Sequence, residues 1–96
     1  MSAYIIATVR VTDAARYEDY KTFSSLAMHT HGAEVLVRGG MVGVLEGDWT
    51  PERVIVMKFG SVAQARAFYD STEYAKAKEA RADAAVMQMI VVEGTD

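Results

Sequence analysis

The spacing of apolar residues changes along the chain, from every second residue to every third or fourth. Between Tyr4 and Val11, β-branched and polar side chains alternate, which is typical of a strand with one buried face. From about Ala14 to His29 large side chains recur at helical spacing, after a candidate N-cap at Asp13. The pattern therefore predicts a strand and then a helix that ends before Gly32.

The rest of the chain predicts three more strand regions and a second helical region. Residues 33–38 and 42–46 read as a strand interrupted by Gly39-Gly40, and a turn over 47–51 precedes a strand over 53–59. Ser61 is a candidate cap for a helix that continues to Ala84 after a kink near Ser71-Thr72. Its predicted buried line is Val62, Ala65, Phe68, Tyr69 and Thr72. Residues 86–93 predict the last strand.

The predicted order is β-α-β-β-α-β over a single domain, residues 1–96. This order is typical of an α+β ferredoxin-like sandwich, in which a four-stranded antiparallel sheet carries two helices on one face. Helix caps at Asp13 and Ser61 divide the chain into two similar β-α-β units.

The sheet face opposite the helices is predicted to be neither fully polar nor fully apolar. Strand alternation assigns to this open face Tyr4, Ile6, Thr8, Arg10, Glu34, Leu36, Arg38, Val54, Val56, Lys58, Gln88, Ile90 and Val92. So much apolar surface, mixed with cations, favours a second sheet packed over it with a polar cavity between. A symmetric homodimer, with this chain as its own partner, supplies that second sheet most simply.

Composition excludes several classes of protein. The 96 residues carry a net charge of −3 and no run of Lys or Arg, which argues against nucleic acid as a partner. The absence of cysteine excludes disulfides and thiolate metal sites. No apolar segment approaches the length of a membrane span, and the N-terminal residues do not resemble a signal peptide. These features predict a cytoplasmic protein without a membrane partner.

Several motifs, in this order along nearly the whole chain, resemble those of domain-of-unknown-function family 1330. They are a first helix with two tyrosines, VRGG, LEGDW-x-PER, AFYDSTEY and the closing VVEG, with Thr72 where proline is common. The resemblance implies the dimeric α/β-barrel superfamily, with a pocket between sheet and helices. That superfamily includes cofactor-free monooxygenases, lactone isomerases, haem-binding enzymes and ligand-sensing domains, so the resemblance implies a fold and leaves activity open.

The candidate catalytic groups are His31 and Glu46. His31 lies on the same helical line as Tyr17, Tyr20 and Ala27, and imidazole titrates near neutral pH. A metal shared by His29 and His31 is not expected, because no nearby carboxylate or cysteine completes a site.

Arg38 and Arg81 are the leading candidate ligand-binding residues. A guanidinium at the end of an inward-facing strand favours a carboxylate or phosphate ligand, although Glu34 or Glu46 is an alternative internal partner for Arg38. Arg81 shares a helical line with Tyr74 and Ala77, and its alternative partners are Asp48 and Glu73.

Arg10, Trp49 and Tyr74 complete the candidate ligand-binding set. Trp49 has an alternative role as a plug at the barrel edge or the dimer contact. Arg53 is predicted to hold the GDW turn through Asp48.

The sequence therefore predicts a dimeric barrel that binds a small, acidic organic metabolite without a cofactor or metal. Cofactor-free isomerase or monooxygenase chemistry is one possible role, with His31 or Glu46 moving a proton beside a cationic arginine. A ligand-binding or assembly module without catalysis is the main alternative. A haem-handling barrel ranks last, because the candidate axial histidines lie at a helix end.

Overall fold

The computed structural model describes residues 1–96 and has the predicted α+β ferredoxin-like fold. In chain order the elements are β1 (Ala3–Val11), α1 (Ala14–Thr30), β2 (Glu34–Arg38), β3 (Arg53–Phe59), α2 (Val62–Tyr69), α3 (Thr72–Arg81) and β4 (Ala85–Glu93). The sheet is antiparallel, with strand order β2-β3-β1-β4. The Cα atoms extend over 34 × 33 × 16 Å, as expected for one sheet with helices on a single face.

The core lies between the sheet and the helices. Ile5, Ala7 and Val9 of β1 are buried, and each alternates with a less buried residue. From β3 the buried residues are Ile55, Met57 and Phe59, and the helices contribute Tyr20, Ala27, Ala65, Phe68, Tyr74 and Ala77. In β4, Met87, Met89 and Val91 pack against this core, so the predicted faces of β1, β3 and β4 are confirmed.

Side-chain caps begin the helices, and two of them were predicted. Asp13 accepts a hydrogen bond from the Arg16 amide, and Ser61 accepts one from the Gln64 amide. The predicted kink in the second helix is a complete break: Asp70 ends α2, and the Ser71 hydroxyl accepts from the Tyr74 amide to begin α3. Thr72, predicted on the buried line, is exposed, because α2 ends at Tyr69 and Thr72 is the first residue of a separate helix.

The predicted strand over 42–46 does not form. Residues 39–52, called here the β2–β3 loop, contain no helix or strand, and Met41 and Leu45 are fully exposed. Val42, Val44 and Leu45 have a strand-like composition, but no neighbouring strand pairs with them. Glycines at 40, 43 and 47 also weaken extended structure in this segment.

The predicted face of Arg38 is wrong, because β2 contains an irregularity. Val35 pairs with Met57, but Val37 pairs with Val56, so one extra residue separates these pairs in β2. Beyond this bulge the alternation is inverted, and Arg38 pairs with Ile55, whose side chain faces the helices. Val37, and not Arg38, therefore shares the open face with Val56.

Candidate functional site

A row of three aromatic rings crosses the layer between the helices and the sheet. The row consists of Tyr17 and Tyr20 of α1 and Tyr74 of α3, all buried. Centroids of the Tyr17 and Tyr20 rings are 5.3 Å apart in a stacked arrangement, and those of Tyr20 and Tyr74 are 6.3 Å apart, edge to face. We call this group the tyrosine row.

An arginine lies at each end of the tyrosine row. The guanidinium carbon of Arg53 is 5.8 Å from the centre of the Tyr17 ring. At the other end the guanidinium carbon of Arg81 is 5.8 Å from the Tyr20 centroid and 6.0 Å from that of Tyr74. Both separations allow cation–π attraction. The chain's ion pairs join Arg16 to Asp83, Lys21 to Glu18 and His31 to Glu73, so neither flanking arginine has a carboxylate partner.

The phenols of Tyr20 and Tyr74 are joined at the centre of the row. Their hydroxyl oxygens are 2.8 Å apart, and the Tyr20 hydroxyl also lies 3.9 Å from Met87 Sδ. Burial raises the pKa of Tyr20, and the adjacent Tyr74 phenol raises it further. Burial likewise raises the pKa of Tyr74. Both phenols stay protonated at neutral pH, so neither is available as a base, and one hydroxyl donates its hydrogen bond to the other.

Arg38 contacts α1 instead of the open face. Its Nη2 donates to the Ser25 hydroxyl at 2.6 Å, and no ion pair joins it to Glu34 or Glu46. Arg10, the predicted cation of β1, is exposed on the open face, and its cross-strand neighbour is Val86. The predicted cations are therefore divided between the two faces of the sheet.

His31 forms a pair with a carboxylate that the sequence analysis did not assign to it. It caps the C-terminus of α1, and its Nε2 is 2.7 Å from Glu73 Oε1. A hydrogen bond from the Thr72 hydroxyl lowers the pKa of Glu73, and the bond with His31 lowers it further. The His31 ring packs edge to face against Phe68, with 6.2 Å between centroids. The contacts with Glu73 and Phe68 hold the imidazole in one orientation, as a carboxylate does for a histidine that acts as a general base.

The candidate catalytic groups do not lie beside the candidate cations. His31 is 14 residues beyond Tyr17, or about 21 Å along the helix axis. Glu46 is exposed in the β2–β3 loop. His31 is therefore distant from Tyr17 and Arg53, although its partner Glu73 precedes Tyr74 in the chain and Phe68 packs against both the His31 and the Tyr74 rings.

Trp49 lies over the open face and not in the core. With Ile6, Thr8, Gln88 and Ile90 it lines a shallow cavity of about 190 Å³, and its indole is 68% exposed. The β2–β3 loop therefore reaches across the open face toward β1 and β4. An exposed indole beside Ile90 suits an intermolecular contact better than a core role.

A second cavity, of about 260 Å³, lies between α2 and the β1–β4 edge. Ile5, Ala65, Met89 and Val91 provide apolar walls, and Arg66, Tyr69 and Asp70 are its polar residues. Because Arg66 and Asp70 have opposite charges, are exposed and lie four residues apart on one helix, this cavity has less preference for an anion.

The sequence did not predict that Arg53 lies against the Tyr17 ring, nor that the buried Tyr17 hydroxyl has no hydrogen-bond partner. Arg53 was assigned to Asp48, but no ion pair joins them. The signal was the alternation of Arg53 with Ile55 and Met57, which places the arginine on the helix-facing side of β3. No group of three or more His, Asp or Glu side chains is placed to hold a metal ion.

The fold and these features define an α+β ferredoxin-like domain, with a four-stranded antiparallel sheet and its helices on one face. A model of the family described as Domain of unknown function (DUF1330) matches residues 2–95, and the chain belongs to this family. No helix combines the length and the apolar character needed to cross a membrane. No curated protein sequence matches the chain.

Solved structures that resemble the chain share its fold at low sequence identity. A protein of unknown function from Rhodopseudomonas palustris is 19% identical with a TM-score of 0.79, over 99% of this chain and 83% of that one. SnoaB, a cofactor-independent oxygenase from Streptomyces nogalater, is 9% identical with a TM-score of 0.67, over 99% and 94% of the two chains. An EthD family protein from Bacillus halodurans is 13% identical with a TM-score of 0.64, over 99% and 100%.

Proposed function

We propose that two copies of this chain pair through their open sheet faces, and that each copy binds a small organic acid beside the tyrosine row. The observation that carries the ligand proposal is the absence of a carboxylate partner for Arg53 and Arg81 in a buried aromatic setting. A guanidinium that is partly removed from water favours an anionic partner, and none of the chain's own carboxylates provides one.

Exposed apolar side chains support the proposed pairing. Val37, Val86, Ile90 and Val92 are exposed on the face away from the helices, with Trp49 beside them. So many exposed apolar side chains on one sheet face are uncommon on a monomeric protein and typical of a subunit interface. Met41 and Leu45 of the β2–β3 loop are also fully exposed apolar side chains.

The positive charges on the helix side of the sheet support an acidic ligand, although the chain has a net charge of −3. Arg38, Arg53 and Arg81 all lie on the helix side of the sheet, and none forms an ion pair. Local charge rather than net charge decides which ligands enter a cleft. Aromatic rings beside the cations add a flat apolar surface, which suits an acid with a ring or an alkyl group.

Catalysis of the cofactor-independent kind is the second candidate, and the His31–Glu73 pair favours it. The similarity to SnoaB concerns the fold, so this candidate depends on the oriented imidazole alone. The distance of this imidazole from Tyr17 and Arg53 favours simple binding at that end of the row. A reaction would need substrate close to His31 or a contribution from the second copy.

Light scattering and a ligand screen test the two halves of the proposal. The wild-type protein is expected to have about twice the 10.5 kDa mass of the chain at micromolar concentration. In a thermal-shift screen, small carboxylic acids should raise the melting temperature, and their neutral amides should not. A monomer would contradict the pairing, and equal responses to acids and amides would contradict the proposed ligand class.

A further inference from the structure

Two buried polar atoms at one end of the tyrosine row have no hydrogen-bond partner. They are the Tyr17 hydroxyl and Arg53 Nε, each enclosed away from solvent. Tyr17 itself is only 4% exposed. The guanidinium carbon of Arg53 is 5.8 Å from the Tyr17 ring centre, so both atoms belong to the same end of the row. Buried donors are nearly always satisfied by protein, water or ligand, and two unsatisfied donors on adjacent side chains indicate a missing acceptor.

The chain makes room for the Arg53 guanidinium at this position. Gly39 has a φ of +74°, and a Cβ on Gly39 would overlap the guanidinium atoms of Arg53. The Gly39 amide donates to the Val54 carbonyl at 2.9 Å, which fixes the glycine against the start of β3. A glycine in this place lets the arginine side chain turn inward under α1, toward Tyr17.

The charges around Arg53 do not neutralise it. Its neighbour across the sheet is Val9, an apolar residue of β1, and its aromatic neighbour is Tyr17. Arg53 is half-buried, so part of its side chain remains accessible to solvent. A donor pair of this kind, one charged and one neutral, matches an oxyanion that can accept two hydrogen bonds.

We infer that Tyr17 and Arg53 form the subsite that binds the carboxylate of the small organic acid, with the tyrosine row in contact with the rest of the ligand. This inference rests on the proposed function and names the residues that would recognise the acid. Arg53 supplies the positive charge, and the Tyr17 hydroxyl supplies a directed neutral donor. An enclosed water molecule is the alternative acceptor, and the experiment separates the two.

The first experiment measures binding of benzoate, with benzamide as its neutral isostere, by titration calorimetry and amide NMR shifts. Arg53→Gln is expected to weaken benzoate binding at least about tenfold, and Tyr17→Phe several-fold, since charged hydrogen bonds contribute more than neutral ones. Tyr69→Phe and Arg66→Gln are the matched controls, because both residues line the 260 Å³ cavity beside α2. Tyr69→Phe keeps the ring that packs on Tyr74, with 5.6 Å between centroids, and removes only the hydroxyl. Benzoate affinity within about twofold of wild type is expected for these controls.

Three outcomes would overturn the inference. The first would keep the proposed acidic ligand but change its site, and the other two would also contradict the proposed ligand class. Benzoate binding that is lost in the Tyr69 and Arg66 variants, but kept in the Tyr17 and Arg53 variants, would move the acid site to the α2 cavity. If the wild-type protein binds benzoate and benzamide equally, the proposed preference for an acidic ligand is wrong. If the wild type does not bind benzoate at either site, the proposed ligand class is wrong as well.

The second experiment needs no ligand. Because the Tyr17 hydroxyl has no internal partner, Tyr17→Phe should leave the melting temperature of the free protein unchanged or raise it. Tyr20→Phe, which removes a bonded hydroxyl from the same helix, should lower it. A clear loss of stability in Tyr17→Phe would show that water or protein already satisfies this hydroxyl, and would overturn the subsite.

Discussion

The hydroxyl oxygens of Tyr20 and Tyr74 lie 2.8 Å apart, although 54 residues separate them in the chain. This hydrogen bond joins α1 to α3 across the middle of the helical layer. Both rings are buried, and Tyr74 is fully enclosed. The two helices therefore depend on each other for a polar partner within the core, and this dependence can be measured.

Tyr20→Phe should lower the free energy of unfolding by about 1–3 kcal/mol, because it leaves the Tyr74 hydroxyl buried without its partner. The double variant Tyr20→Phe, Tyr74→Phe should lose less than the sum of the two single variants, since it removes both polar groups. Urea denaturation at one fixed protein concentration measures all four proteins. Strict additivity of the two changes would show that the hydroxyls do not stabilise each other.

The sequence predicted most of the fold because its strands alternate cleanly. Ile5, Ala7 and Val9 alternate with Tyr4, Ile6 and Thr8 along β1, which separates the two faces once the register is chosen, and the structure buries the first set under the helices. The caps Asp13 and Ser61 could also be predicted, since each accepts a hydrogen bond from the amide only three residues further on. Local signals of this kind need no knowledge of partners.

Arg38 could not be placed from the sequence, because its orientation depends on pairing. The bulge between Val35 and Val37 depends on how β2 pairs with β3, and the sequence of β2 alone does not predict it. For the same reason, the apolar residues of the β2–β3 loop suggested a strand that lacks a neighbour to pair with. The His31–Glu73 contact joins residues 42 positions apart, so only the packing of α1 against α3 reveals it.

Ile90→Glu should convert the proposed dimer into a monomer. Ile90 is 61% exposed on the open face, and a buried carboxylate in an interface without a partner is strongly unfavourable. Leu26→Glu is the matched control, because Leu26 is 59% exposed but lies on α1. Light scattering should give one chain mass for the Ile90 variant and two for the Leu26 variant. The same mass for both variants would place the interface elsewhere.

Thr72→Val should raise the pKa of Glu73 toward its ordinary value, since the Thr72 hydroxyl is the largest cause of its lowering. A carboxyl whose pKa is lowered by folding adds stability at pH values above its unfolded pKa. That stability is lost as the pH falls through the lowered folded value, so the variant should have a weaker dependence of stability on acid pH.

Carbon-13 NMR titration of the Glu73 carboxyl measures this change directly. Thr22→Val is the control, because the Thr22 hydroxyl bonds to the Glu18 carbonyl on another helix. An unchanged titration of Glu73 in the Thr72 variant would assign the lowered pKa to His31 or to the start of α3 instead.

Gly39→Ala tests whether the position of Arg53 matters for binding as well as for stability. Gly39 and Gly47 both have positive φ values, +74° and +84°, but only a Cβ on Gly39 would meet another side chain, that of Arg53. Gly47→Ala should therefore show backbone strain alone, about 1–2 kcal/mol at most, since the loop can adjust.

Gly39→Ala should cost more than Gly47→Ala in thermal or urea unfolding, because the guanidinium must also move. In an Arg53→Ala background this extra cost should disappear, and the two alanine variants should then destabilise the protein equally. Benzoate affinity should fall in Gly39→Ala and stay near wild type in Gly47→Ala. Only the first substitution displaces the Arg53 guanidinium, which is proposed to donate to the carboxylate of the ligand. If Gly39→Ala keeps full affinity while losing stability, the guanidinium serves the packing of β3 against α1, and the acid is recognised elsewhere.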